Sequence, residues 1–311
     1  MRPHLVALLG LSLLLALTAC GAQSTVRSTV SPTVSPGELP PPRYHATVQS
    51  DVAYGPLAGE TLDLCQPQGA AGLRPGVILL HGGGWTAGDK SEYSAEYTGL
   101  CPFLAGQGVV AAAINYRLTP YNTWPAPLVD AQLAVRYLRA NAARLQLDAP
   151  RLCSWGDSAG GHLAVFLGVL TTSHSGDQAT LDATASPQVA CVVDEFGPVD
   201  LTQVLSDQST SVELELFGFQ TLRQAPAAYR DASPLFAVTP QSAPTFIVQG
   251  TNDTVVPPSQ SQALQHALEA NHVPVHYLSY PGGHNFSDVT VAQRAEMIVQ
   301  EWEFVEATIG Q

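Results

Sequence analysis

From residue 76 onward the chain alternates between two hydrophobic patterns. "GVILL" (76–80), "GVVAAAIN" (108–115), "RLCSW" (151–155), "QVACVVDEF" (188–196), "PTFIVQG" (244–250) and "VHYLSY" (275–280) are short apolar runs. Runs of this length, without alternation, are what strands buried on both faces require. Between them the apolar residues fall at helical spacing. "SEYSAEYTGLCPFLAGQ" stops at Gly106, and Leu128, Leu133, Val135, Leu138 and Leu145 recur along "PLVDAQLAVRYLRANAARL". "SAGGHLAVFLGVL", "PSQSQALQHALEAN" and "AQRAEMIVQEWEFVEATI" continue the helical series. Strands alternating with helices predict the α/β class, with a mostly parallel sheet covered on both faces. Two earlier segments, "HATVQSDVAYG" and "ETLDLCQP", read as an antiparallel start at one edge.

The first 43 residues follow neither pattern. A basic start, an apolar run from Leu5 to Leu17 and small residues before Cys20 make a signal-peptide core too short to span a bilayer comfortably. "LTAC" resembles the lipobox of bacterial lipoproteins, which implies that Cys20 is lipidated and that residues 1–20 are removed or modified at export. Residues 21–43, rich in Ser, Thr and Pro, read as an extended linker. Residues 44–311 then form one catalytic-size domain, held to a membrane only through the anchor and facing the periplasm or cell exterior.

Net charge is −13 with 13 Lys+Arg, and no basic cluster occurs, which argues against a nucleic-acid partner. Beyond Cys20, four cysteines remain. Cys65 and Cys101 are the better disulfide candidates, whereas Cys153 and Cys191 sit inside apolar runs and read as small buried hydrophobes. No cysteine or histidine spacing suggests a metal, and no cofactor motif is present.

Parallel sheets present their ligands at the carboxyl ends of the strands, so the residues after each apolar run carry the chemistry. After "RLCSW" comes Gly156-Asp157-Ser158-Ala159-Gly160, a G-x-S-x-G between a strand and a helix. This is the nucleophile elbow that exposes a serine hydroxyl. Asp253 follows "PTFIVQG", and His284 follows "VHYLSY" in "PGGHNF". Neutral imidazole can take the serine proton, and a carboxylate fixes the imidazole tautomer, so Ser158, His284 and Asp253 form the expected triad. Asp194, Glu195 and Asp200, after another strand, are weaker candidates for the acid, and His162, on the elbow helix, reads as packed. "HGGGW" (81–85) ends the "GVILL" run. Bare glycine backbones can turn N–H groups toward a developing oxyanion, so Gly83, Gly84 and Ala159 are the expected donors. His81 is expected to fix the loop, and Trp85 to wall the acyl pocket.

Together these residues resemble α/β-hydrolase esterases, most closely the BD-FAE group, named for a bifunctional feruloyl and acetylxylan esterase. Residues 50–308 share its pattern, including "NYRLTPYNTWPAPLVDAQLAVRYLRANAARLQLD", "FGPVDL" and "GTNDTVVPPSQSQAL". Hormone-sensitive-lipase-like esterases share the glycine motifs but normally carry a longer N-terminal cap. Here a lid has room only between about residues 201 and 230, which implies an open site able to admit a bulky alcohol. Glu195 stands where the group often has an aromatic residue. The resemblance implies a serine carboxylic-ester hydrolase acting on short-chain or carbohydrate-type esters. The rivals are a serine peptidase or amidase of the same fold, and a tethered binding protein on an inactive hydrolase. The first usually has a propeller domain that this chain lacks, and the second usually loses a triad or oxyanion residue.

Overall fold

In the computed structural model, which describes residues 37–94, 99–172, 186–203, 205 and 210–310, the apolar runs become one eight-stranded sheet. The strands are β1 (His45–Ala53), β2 (Thr61–Gln68), β3 (Arg74–Leu80), β4 (Val110–Ile114), β5 (Leu147–Asp157), β6 (Cys191–Glu195), β7 (Thr245–Gly250) and β8 (Val275–Tyr280). Their order is β1-β2-β4-β3-β5-β6-β7-β8. β1 and β2 are antiparallel to their neighbours, and every pair from β4 to β8 is parallel. The antiparallel edge and the parallel body are those the sequence pattern predicts.

Helices α1 (Ser91–Ser94), α2 (Leu100–Gly106), α3 (Ala126–Ala140), α4 (Ala142–Leu145), α5 (Ala159–Val169), α6 (Thr210–Leu216), α7 (Pro226–Asp231), α8 (Pro258–Ala270) and α9 (Val291–Ile309) connect the strands. The segment read as one helix over 91–107 contains two helices, α1 and α2, and residues between them lie outside the described set. Ile78 and Leu80 of β3 belong to the core cluster that includes α3, α5 and α8, while Val77 and Leu79 belong to the cluster on the other face, with α2 and α9. Both faces of the strand are therefore buried, and this is why its sequence does not alternate. Each such side chain contributes about 1.5–3 kcal/mol on burial.

Cys65 of β2 and Cys101 of α2 form a disulfide, as their pairing predicts. The reading of Cys153 and Cys191 as free buried hydrophobes is corrected, because they too are joined in a disulfide. Cys153 lies opposite Cys191 in the β5/β6 register, with Cα atoms 4.6 Å apart. Strand adjacency brings the two together although 38 residues separate them.

The register also aligns the strand ends. Leu80 of β3 pairs with Gly156, Asp157 with Glu195, Glu195 with Val248, and Gly250 with Tyr280. The loops that follow β3, β5, β6, β7 and β8 thus open on one edge. Residues 37–43, within the expected linker span, lie along α2 and α9. Gly106 accepts hydrogen bonds from the backbone N–H of Arg43 and Tyr44, Gln107 donates to the Pro40 and Pro41 carbonyls, and Arg43 pairs with Glu306.

Candidate active site

Ser158 sits at the turn between β5 and α5 with φ 51° and ψ −117°, a conformation that L residues rarely adopt. Two glycines make that turn possible. A Cβ on Gly160 would run into the Leu80 carbonyl, and one on Gly156 would run into the Gly160 backbone. The backbone N–H of Ser158 donates to the Glu195 carbonyl at 2.8 Å, which ties the elbow to the end of β6.

His284 brings the other two triad candidates together. Its Nε2 lies 3.0 Å from Ser158 Oγ, and its Nδ1 lies 2.8 Å from Asp253 Oδ2. With the proton on Nδ1, the ring donates to the carboxylate and accepts from the serine hydroxyl, the arrangement a general base needs. Asp253 is held from every side. Its Oδ1 accepts from the N–H of Val255 and Val256, both at 2.9 Å, and its Oδ2 also accepts from Gln249 Nε2 at 3.2 Å. Ser261 donates to Gln249 Oε1 at 2.7 Å and so fixes that amide. Phe196 packs on His284 with ring centroids 4.7 Å apart. Among the weaker acid candidates, Glu195 is paired elsewhere, Asp200 accepts from Thr202, and Asp194 accepts from Gly197 N–H.

The glycine loop lies against the elbow. Gly82 N–H donates to Asp157 Oδ1 at 3.0 Å, and Tyr93 OH donates to the same oxygen at 2.6 Å. Burial, followed by the charge of Glu195, pushes the Asp157 carboxyl up to about 6. Gly83 has φ 102°, where a side chain would collide with the Ala87 carbonyl. The N–H groups of Gly83, Gly84 and Ala159 make no hydrogen bond to another backbone group among the described residues. His81 holds the loop as expected. Its Nδ1 is 2.8 Å from the Gly82 carbonyl, and its ring stacks on Tyr116 at 4.3 Å.

The Trp85 indole is buried in an apolar cluster with Ala159, Leu201, Leu205, Leu216, Phe217 and Tyr229, and it donates to His162 Nδ1 at 3.3 Å. His162 donates in turn to the Ala232 carbonyl at 2.8 Å, and burial lowers its pKa to about 4, so the neutral ring is a packing element. Trp85 thus packs beside the elbow residue Ala159, and a large cavity lies near the triad without Trp85, Ser158, Asp253 or His284 in its lining.

That cavity, of about 840 Å³, opens between the glycine loop, the residues after His284, α9 and the segment 37–39. Gly83, Asp157, Phe196, Phe286 and Arg294 are among its walls. Sequence reasoning gave no role to Asp157, Gln249, Phe196 or Arg294. Asp157 carried a signal, since it stands inside the nucleophile motif, and so did Phe196, which opens "FGPVDL". Cys20 lies outside the described residues.

Comparison with known proteins gives a consistent picture. Residues 62–268 match the BD-FAE family model. Esterase LipC of Mycobacterium tuberculosis is 32% identical over 221 residues, 68% of this chain and 53% of LipC. Esterase LipQ of the same organism is 31% identical over 266 residues, 84% of this chain and 62% of LipQ. The chain therefore spans between 53% and 62% of the length of these two relatives. The solved structure of a truncated form of a carbohydrate esterase from gut microbiota is similar with a TM-score of 0.72. It is 26% identical, and the match covers 87% of this chain and 99% of that one.

Proposed function

The chain belongs to the BD-FAE family, and from that premise we propose that it is a serine carboxylic-ester hydrolase that works through an acyl-enzyme. The observation that carries this reading is the continuous hydrogen-bonded line from Ser158 Oγ through His284 to Asp253. His284 takes the Ser158 proton as Oγ attacks the ester carbonyl, and Asp253 stabilises the imidazolium that forms. The N–H groups of Gly83, Gly84 and Ala159 receive the tetrahedral oxyanion. Each such donor is worth about 10²–10³ in rate. His284 then returns its proton to the leaving alcohol, and a water activated by the same ring releases the acid.

The substrates of this reading are esters of short acyl groups, with a sugar-type alcohol as the physiological case. The open edge of the sheet and the similarity to a carbohydrate esterase support that choice. The experiment is hydrolysis of p-nitrophenyl esters of increasing acyl length by wild type and Ser158→Ala. The reading expects turnover that favours short chains and falls by about 10⁴ or more in the variant. A folded wild type without turnover on any ester overturns it.

We further infer that the protein is exported and anchored through Cys20. The apolar run ending at "LTAC" supports this, as do the two disulfides, which persist in oxidising compartments. A mature N-terminus that mass spectrometry finds unmodified, or not starting at Cys20, contradicts it.

A further inference from the structure

We propose that Arg294 is a positioning residue for the triad: its guanidinium ties the strand end that holds Ser158 to the loop that presents His284, and so sets the distance between hydroxyl and imidazole. This rests on the esterase reading above and deepens it.

Ser158 follows β5 and His284 follows β8, and β6 and β7 lie between those strands in the sheet. A shift of either loop alters the 3.0 Å separation across which the proton moves. Arg294 of α9 reaches both. On the serine side its Nη2 donates to Glu195 Oε1 at 2.5 Å, and the same oxygen accepts from Trp155 Nε1 of β5 at 2.8 Å. The backbone carbonyl of Glu195 in turn accepts the Ser158 N–H at 2.8 Å. On the histidine side the guanidinium lies 4.1 Å from the Phe286 ring centroid, within cation–π range. Phe286 packs on Phe196 at 4.9 Å, and Phe196 packs on the His284 ring at 4.7 Å. Glu301 accepts from Arg294 Nη1 at 2.9 Å and fixes the guanidinium from its own helix.

The backbone around His284 needs such a restraint. Phe196, Asn285 and Phe286 have φ of 47°, 62° and 56°, in the left-handed region that residues with side chains avoid. Asn285 and Phe286 directly follow the histidine, and the Phe196 ring lies against it. Residues in this region persist only where their surroundings over-determine them. Phe286 is gripped by Arg294, by Phe196 and by Tyr280, whose ring stacks on it at 5.2 Å. Stability alone does not account for the arrangement. Glu195 and Glu301 are buried, and a guanidinium between buried carboxylates gives up so much hydration that apolar packing holds a fold about as well. Apolar packing lacks the direction of a planar fork, which fixes its partners at set angles.

The test compares wild type with Arg294→Lys, which keeps a cation between the two glutamates but loses the fork and the flat face over Phe286. Phe286→Leu leaves the ion pairs intact and removes the ring that relays the contact, and it decides the matter if the first variant does not fold. kcat/KM is measured on ethyl acetate and on p-nitrophenyl acetate, with thermal unfolding alongside. The acyl group is the same, but the ethyl alcohol leaves only when His284 returns a proton to it, whereas p-nitrophenolate leaves without one. Both variants are expected to lower kcat/KM on ethyl acetate by about 10- to 100-fold, chiefly through kcat. The ratio of ethyl to p-nitrophenyl acetate is expected to fall by roughly fivefold or more, because a displaced histidine fails first as the acid. An equal loss on both esters, as a lower folded fraction alone produces, overturns the proposal, and so do unchanged kinetics. Inactivity of wild type on both esters strikes the esterase reading itself, an outcome distinct from these.

Discussion

At the scale of single residues, the site is framed by carboxyl groups in unlike states. Asp194 is buried beneath the elbow helix, accepts one hydrogen bond from Gly197 N–H, and has no partner for Oδ2 among the described residues. Burial first, and the Glu195 charge after it, push this carboxyl up to about 8. A raised carboxyl pKa means the folded state binds the proton more tightly than the unfolded chain. Stability is then lost as pH rises from the ordinary carboxylate range toward 8. Asp194→Asn keeps the acceptor for Gly197 and has no charge to lose. Its melting temperature, relative to wild type, is expected to rise from pH 5 to pH 8, and parallel curves would contradict this account of Asp194. Asp157, pushed up to about 6, acts through its bonds to Gly82 N–H and Tyr93 OH. Asp157→Ala frees the glycine loop and is expected to lower kcat by roughly 10- to 100-fold, the size of effect that an ångström of misplacement produces. Steady-state kinetics with unchanged thermal unfolding would separate this from a general loss of structure.

At the scale of elements, legibility tracks how local the determining interactions are. β7 was readable to within a residue from "PTFIVQG", because a buried parallel strand is a continuous apolar run. Ser158, Asp253 and His284 were readable because each follows such a run. The Cys153–Cys191 disulfide was not, since it depends on β5 and β6 lying side by side, which no spacing in the chain reports. The same limit hid the Glu195–Arg294 pair, whose members are 99 residues apart. Trp85 stands in a motif that suggests a pocket wall, and its bond to His162, 77 residues away, is another contact that no local spacing reports. Removing the β5–β6 disulfide with Cys153→Ala and Cys191→Ala is expected to cost about 2–4 kcal/mol in unfolding free energy. Denaturant titration measures it, and a cost near zero would mean that sheet packing alone holds the two strands.

At the scale of the whole molecule, 26 acidic against 13 basic residues give a net charge of −13. A field of this sign repels anionic substrates on approach, and salt screens it over about 10 Å at 0.1 M. The kcat/KM for a negatively charged ester, such as a monoester of succinate, is therefore expected to rise severalfold between low and physiological salt, while that for ethyl acetate stays flat. Equal salt responses would show that the charge lies too far from the site to matter. The same architecture explains why one face carries the chemistry. Loops from five parallel strands meet there, and the segment 37–39 and α9 close its outer wall.

The central claim is that Ser158, activated by His284, is the nucleophile. The most direct measurement is covalent labelling of the folded protein with a fluorophosphonate, followed by peptide mapping. The account predicts one adduct, on Ser158, that is absent in Ser158→Ala and slowed by orders of magnitude in His284→Ala. Labelling at another residue, or esterase turnover that survives in Ser158→Ala, would contradict it.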